Sequence, residues 1–155
     1  MRSQERASAR KQLDKRLNKL RNSDAFSRPP RGWIKAIREA IGMTTTQLGK
    51  RLGVTQPTAL GFEKSETSKG ITLDTLERAA HALDCQLVYA LVPRKPLESL
   101  VEDRARQLAI KRLRAASHNM ALEDQRVDEF DEQEHLERLV KKLIDQSGSA
   151  LWEEE

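Results

Sequence analysis

The sequence predicts a mainly α-helical protein: a cluster of short helices, then one β-strand, then long amphipathic helices at the rear. Three observations carry that prediction. Apolar residues recur at helical spacing along most of the 155 residues, threonines and glycines fall where those stretches start and stop, and only one short run, 85–92, is apolar on both faces.

Residues 4–21 set Leu13, Leu17 and Leu20 at i, i+4 and i+7 among many charges, and Asn22, Ser23 and Asp24 offer a stop. This is a basic amphipathic helix or arm, over 1–27, whose apolar stripe is too thin to hold it folded alone. Pro29 and Pro30 bar a continuing helix, so 27–32 reads as a linker. Trp33, Ile34, Ile37 and Ile41 then form a helical stripe that stops at Gly42.

Thr44 with Gln47 three residues later reads as a capping box opening a helix, with Leu48 and Leu52 facing inward before Gly53 ends it. Thr55 caps the next helix, with Pro57 in its first turn, and this helix runs through Ala59 and Phe62 to about Lys64. A polar loop over 65–70 leads to Thr72, a cap for a helix with Leu73, Leu76, Ala79, Ala80 and Leu83 on one side.

Cys85, Gln86, Leu87, Val88, Tyr89, Ala90, Leu91 and Val92 are bounded by Asp84 and Pro93 and rich in β-formers, which reads as a buried strand; a continuation of the preceding helix is the other reading. One strand cannot satisfy its own backbone groups, so it is expected to pair with its copy in a second subunit. Leu87, Val88, Tyr89, Ala90, Leu91 and Val92 are the dimerisation residues in that reading, and 85–93 the dimerisation strand.

Behind Pro93 and Pro96, residues 97–117 carry Leu97, Leu100, Val101, Ala105, Leu108 and Leu113 at helical spacing. Residues 129–146 repeat the pattern with Leu136, Leu139, Val140, Leu143 and Ile144, and the end brings Leu151 and Trp152 beside three glutamates, an apolar pair expected to dock. The region 94–155 is therefore expected to be helical and acidic, and to interact with partners.

Hydrophobic residues make up 37% and charged residues 34%, so the apolar material is rationed into stripes rather than one large core. The chain carries one cysteine, Cys85, no apolar run near membrane-spanning length and no apolar secretory core at its start, which fits a cytoplasmic protein. The net charge of +4 conceals an asymmetry: residues 1–31 hold ten Lys/Arg against three Asp/Glu, 32–95 nine against six, and 96–155 nine against fifteen. A basic front suits phosphate-backbone binding, because neutralised phosphates release condensed counterions; an acidic rear would be repelled by the same polyanion.

Short helix, tight turn with glycine and second helix together make a helix-turn-helix over 45–64, within a DNA-binding region at 28–84. Gln47 and Leu48, the turn of Leu52, Gly53, Val54, Thr55 and Gln56, and Phe62, Glu63 and Lys64 before a loop and further helix resemble the lambda-repressor-like, or Xre, family over 33–84. That resemblance implies a lambda-repressor-like helix-turn-helix domain whose recognition helix is 56–64 and whose partner is double-stranded DNA. With Ala59 and Phe62 inward, Gln56, Pro57, Leu60, Gly61 and Lys64 lie on the outer arc.

Gln56 is the best base reader, since an amide can both donate to and accept from an adenine edge. Thr45, Thr46 and Thr58 suit phosphates, while Gln47, Arg51, Lys64 and Lys69 complete the candidate DNA-binding set. Leu60 and Gly61 depart from the longer polar side chains common in the family: Leu60 could meet a thymine methyl and Gly61 admit a close backbone approach, or both could mean less base reading. Arg38 and Glu63 fall where the family usually carries a structural ion pair.

A narrower resemblance rests on Arg28, Pro29, Pro30, Arg31, Gly32, Trp33 and Ile34, on Ile71, Thr72 and Leu73, on 82–93, on Ser117, His118, Asn119, Met120, Ala121, Leu122 and Glu123, and on the Leu151 and Trp152 ending. These are similar to the bacterial mobile mystery protein A family, encoded beside a Fic-domain protein, mobile mystery protein B. The resemblance implies a toxin-antitoxin-like pair in which the DNA-binding protein represses its own operon. Pairing through 85–92 and the docking geometry of a helix-turn-helix predict, separately, a homodimer on two inverted half-sites spaced by about one helical turn. The resemblance also implies an alternative, in which 97–152 binds and restrains the Fic partner. Fic-inhibiting helices carry Glu-Gly or Glu-Asn, and this sequence has neither pair.

No enzymatic role is expected. His81, His118 and His135 are scattered, one cysteine cannot build a zinc site and no glycine-rich phosphate loop is present, so neither metal nor cofactor is expected.

Overall fold

The computed structural model describes residues 2–121 and 129–153. Its helices are α1 (Ser3–Arg21), α2 (Trp33–Ala40), α3 (Thr45–Leu52), α4 (Gln56–Thr67), α5 (Leu73–Ala82), α6 (Leu97–Ala121) and α7 (Glu129–Gln146), with 3-10 turns at Asp24–Phe26 and Gly148–Trp152. The chain divides into two compact units, one over Asp24–Leu91 and one that joins the residues up to Ser23 to those from Val92 onward. Two of the residues that carry the narrower resemblance, Leu122 and Glu123, lie outside the described residues.

The first unit packs α2 to α5 around Ile34, Leu48, Ala79 and Leu83, with Ile37, Leu52, Phe62 and Leu76 at its edge. Three of its helices begin as their local sequence dictates. Thr44, Thr55 and Thr72 each accept a hydrogen bond from the backbone N–H three residues on, so one orphan donor per helix is satisfied locally. Helix α2 has no such cap: Gly32 precedes it and has no side chain to offer.

The missing acceptor comes from α4. Glu66 takes hydrogen bonds from Trp33 N at 2.7 Å and Ile34 N at 3.0 Å, and Arg28 Nη1 donates to the Glu66 carbonyl. Gly32 turns the chain at φ 85°, and a Cβ there would sit 2.7 Å from the Glu66 carboxylate, so any other residue would be strained and would displace the cap. This contact explains why α4 runs on to Thr67 rather than stopping near Lys64. The polar run from Ser65 onward has the composition of a loop, yet its second residue is the buried cap of another helix.

In the second unit α6 and α7 lie against each other over Ala105, Leu108, Ala109, Val140 and Leu143, and Leu151 docks into the same cluster. Arg104 holds the ending there by donating to the Leu151 and Glu153 carbonyls at 2.8 and 3.0 Å. Leu151 is buried and Trp152 exposed, so only the first of the apolar pair docks. Helix α1 packs on α6 with no fully buried residue of its own. Polar contacts hold it: Arg10 pairs with Glu98 at 2.7 Å, and Asp14 caps α6 by accepting from Leu97 N at 2.8 Å and Glu98 N at 3.3 Å.

The predicted strand is not formed. Residues 85–92 have no regular secondary structure, and the described residues contain no β-strand at all, so the fold is all-helical. Nor is the segment buried: Val88, Tyr89 and Leu91 are 66%, 71% and 88% exposed. A single extended segment has no neighbour to take its N–H and C=O groups, and the described residues supply no second one, so β-propensity alone does not make a strand. Asp84, at φ 54°, turns the chain out of α5, and Cys85 N returns to the Ala80 carbonyl at 2.8 Å. No described helix is long and apolar enough to cross a membrane.

Glu66→Ala is expected to leave the first amides of α2 without an acceptor and to cost about 1–3 kcal/mol of stability. The measurement is the urea midpoint, and an unchanged midpoint would contradict the cap.

Candidate nucleic-acid interface

The pair α3 and α4 is assembled from its caps and its turn. Gln47 N donates to the Thr44 hydroxyl at 3.2 Å while Thr44 N donates to Gln47 Oε1 at 2.8 Å, a reciprocal box that fixes the start of α3. It also orients Gln47, whose carbonyl end is committed to the cap and whose NH2 end is left for an acceptor outside. Gly53 closes α3 in the left-handed conformation, and Val54 N returns to the Gly49 carbonyl at 2.9 Å.

Gly49 admits the turn. A Cβ at that position would lie 3.0 Å from the Val54 carbonyl and 3.3 Å from that of Thr55, so a larger residue would push α4 away from α3. Helix α4 then opens at Thr55, whose hydroxyl accepts from Thr58 N at 3.4 Å and lies 2.9 Å from the Thr58 hydroxyl. Pro57 has no N–H to orphan in this first turn.

One face of α4 is occupied. Ala59, Glu63 and Glu66 are buried, and Glu63 meets Arg38 of α2 through Oε1 to Nε at 2.5 Å and Oε2 to Nη2 at 3.3 Å. Arg38 Nη1 also donates to the Met43 carbonyl at 2.8 Å, so the pair is hydrogen-bonded as well as neutralised. The hydrogen bond that Arg38 donates to Glu63 raises the pKa of its guanidinium above the ordinary value, against the opposing effect of desolvation. At 8% and 3% exposure the two charges are nearly dry, so each depends on the other.

The other face is open. Gln56, Pro57, Thr58 and Lys64 are exposed, Leu60 and Gly61 are half-buried, and beyond its own turn of helix no described atom lies within 4 Å of where a Cβ would stand on Gly61. Thr45 and Thr46 sit in the first turn of α3, where helix geometry provides no acceptor for their amides. Arg51 is engaged elsewhere: its Nη1 donates to the Ala82 carbonyl at 3.0 Å and to Asp84 at 3.2 Å, tying α3 to the end of α5. Lys69 is exposed in the loop after α4 at φ 65°, apart from the helix face. The exposed run 88–91 forms no part of this face.

Two neighbouring helices joined by a glycine turn, with the second one's outer arc open to solvent, is the geometry that the helix-turn-helix family describes, and that family matches residues 34–89. Residues 34–89 are a helix-turn-helix domain of the Xre, lambda-repressor-like type. Over 56 residues the chain is 42% identical to the antitoxin HigA1 of Mycobacterium tuberculosis, in strains CDC 1551 / Oshkosh and ATCC 25618 / H37Rv, covering 36% of either protein. The chain thus spans about a third of the length of these curated relatives. No solved structure matches the chain.

Two residues that hold this Xre-type domain together, Glu66 and Gly49, were not singled out from the sequence. Glu66 had a signal, because it falls in helical phase with Ala59 and Glu63 while the helix at Trp33 begins without a capping residue. Gly49 had none, since its role is a distance between two helices.

Gly61→Ala is expected to stabilise the domain by up to about 1 kcal/mol, because alanine is the better helix former and the site is empty. A lowered thermal midpoint would show that the glycine serves the fold.

Proposed function

We propose that the protein is a sequence-specific regulator of the antitoxin type that represses its own operon, with the outer arc of α4 entering a major groove. The observation that carries this reading is the division of α4 into a sealed face, Glu63 and Glu66, and an open one, Gln56, Pro57, Leu60, Gly61 and Lys64. A major groove of roughly 12 Å admits one helix, and only the open face would meet base edges. Gln56 reads bases, Leu60 meets a thymine methyl, and Gly61 lets the backbone come close. Thr45, Thr46, Gln47 and Thr58 hold phosphates, and Lys64 and Lys69 add charge around them. Arg51 acts indirectly by bracing α3.

The repressor works as a homodimer on an inverted repeat, the two copies joined through the side chains of Leu87, Val88, Tyr89, Ala90, Leu91 and Val92. Contiguous apolar side chains as exposed as Val88, Tyr89 and Leu91 are what association would cover. The test is a footprint upstream of the gene with Gln56→Ala alongside. Two protected half-sites about one helical turn apart are expected, and the variant should lose roughly 1–3 kcal/mol on that site with little change on other DNA. A single half-site would sink the dimer, and equal losses on both DNAs would sink base reading by Gln56.

The name of the mycobacterial relatives favours a second activity, binding of a toxin partner, here a Fic-domain protein, by the rear unit. The exposed carboxylates of α7, Asp131, Glu132 and Glu134, form its polar surface. The full-length chain co-expressed with the neighbouring Fic protein should co-purify with it through gel filtration, and separate elution would leave DNA binding as the sole activity.

A further inference from the structure

Helix α1 presents two electrically different faces. On the face toward α6, Arg10 is paired with Glu98 and Asp14 is committed to capping Leu97 and Glu98. On the other, Lys11, Lys15 and Lys19 follow one another at i, i+4 and i+8 with Gln12 and Arg16 alongside, all exposed and none in an ion pair among the described residues. At 100° per residue the three lysines fall within about 80° of arc, in a row about 12 Å long. Asp14, the one carboxylate between residues 8 and 19, points to α6.

A merely solvated face would alternate signs, since opposite charges at i, i+4 support a helix and like charges oppose it. Here the helix carries two successive like pairs, Lys11 with Lys15 and Lys15 with Lys19, on an element with no fully buried residue. The rear sequence is acidic, 96–155 holding nine Lys/Arg against fifteen Asp/Glu, yet among the described residues no carboxylate pairs with this row. Evenly spaced, unpaired cations without a shaped pocket fit a repeating anion rather than a single small one.

We propose that the Lys11, Lys15 and Lys19 face of α1 is a second DNA-binding surface, which grips backbone phosphates without reading sequence and adds to the specific contacts of α4. The proposal rests on the DNA-binding reading above for its partner, but not on base recognition by Gln56. The helix is a backbone clamp; its lysines are point charges, suited to phosphates rather than to bidentate base edges.

The test compares the full-length protein with Lys11→Gln, Lys15→Gln and Lys19→Gln combined, and with a charge-matched control, Arg112→Gln, Lys141→Gln and Lys142→Gln, also exposed. Affinity is measured over 50 to 250 mM salt on the operator fragment and on a duplex of unrelated sequence. Each lost phosphate contact should flatten the salt slope by about 0.9, so the α1 variant is expected to flatten by roughly 2–3 on both duplexes and to bind roughly 10- to 100-fold more weakly near 150 mM. The ratio between the two duplexes should hold. Its melting temperature should equal or exceed that of the wild type, because repulsion has been removed.

A slope unchanged from wild type, or matched by the control, overturns the clamp. Loss of binding accompanied by a lower melting temperature overturns it too, since the lysines would then serve the fold. Failure of the wild type to prefer the operator would strike the repressor reading alone, because the slope on unrelated DNA still reports on α1.

Discussion

The helix-turn-helix unit depends on two carboxylates three residues apart on the inner face of α4. Glu66 takes the amides at the start of α2, and Glu63 takes Arg38 near its end, so one helix grips another at both termini. The fully buried apolar core here is small, Ile34, Leu48, Ala79 and Leu83, and these polar contacts supply the orientation that so few apolar side chains leave loose. Removing one partner of a buried pair strands the other charge at a cost of about 3–5 kcal/mol, which makes the grip cooperative.

That grip has a functional consequence. Because Glu63 and Glu66 anchor the inner side of α4, the helix can leave its outer side with residues that make no tertiary anchor, Pro57 and Gly61 among them, and still hold its angle. The turn works toward the same end, Gly49 allowing α3 and α4 to approach and Gly53 reversing the chain. An exposed helix with a weak former such as Gly61 would fray in isolation, and its order is borrowed from α2 and α3.

Much of this was legible in the sequence because it is local. Thr44 with Gln47, Thr55 with Pro57, and Thr72 announce helix starts within three residues of themselves, and those helices begin where expected. What was illegible depends on distance in sequence. The extension of α4 to Thr67 follows from a contact between Glu66 and residues more than thirty positions earlier, against a local composition that favours a loop. The strand at 85–92 failed for the reciprocal reason: its β-formers describe side chains, whereas a strand needs a neighbouring backbone that the described residues do not provide.

The same distinction between local and distant contacts governs α1. Judged alone, a helix with Leu13 exposed, Leu17 and Leu20 no more than half-buried and no fully buried residue should be marginal, and its like-charged row makes it more so. It is held because Asp14 and Arg10 reach the first turn of α6, where a carboxylate meets helix amides and a cation meets Glu98. Two polar contacts on one side therefore keep an array of lysines on the other in fixed spacing. A flexible arm could offer the same charges, but not at a constant interval of about 6 Å along a line. A repeating anion distinguishes a row from a cloud of charge, which is why the order imposed by α6 matters to what the outer face of α1 can bind.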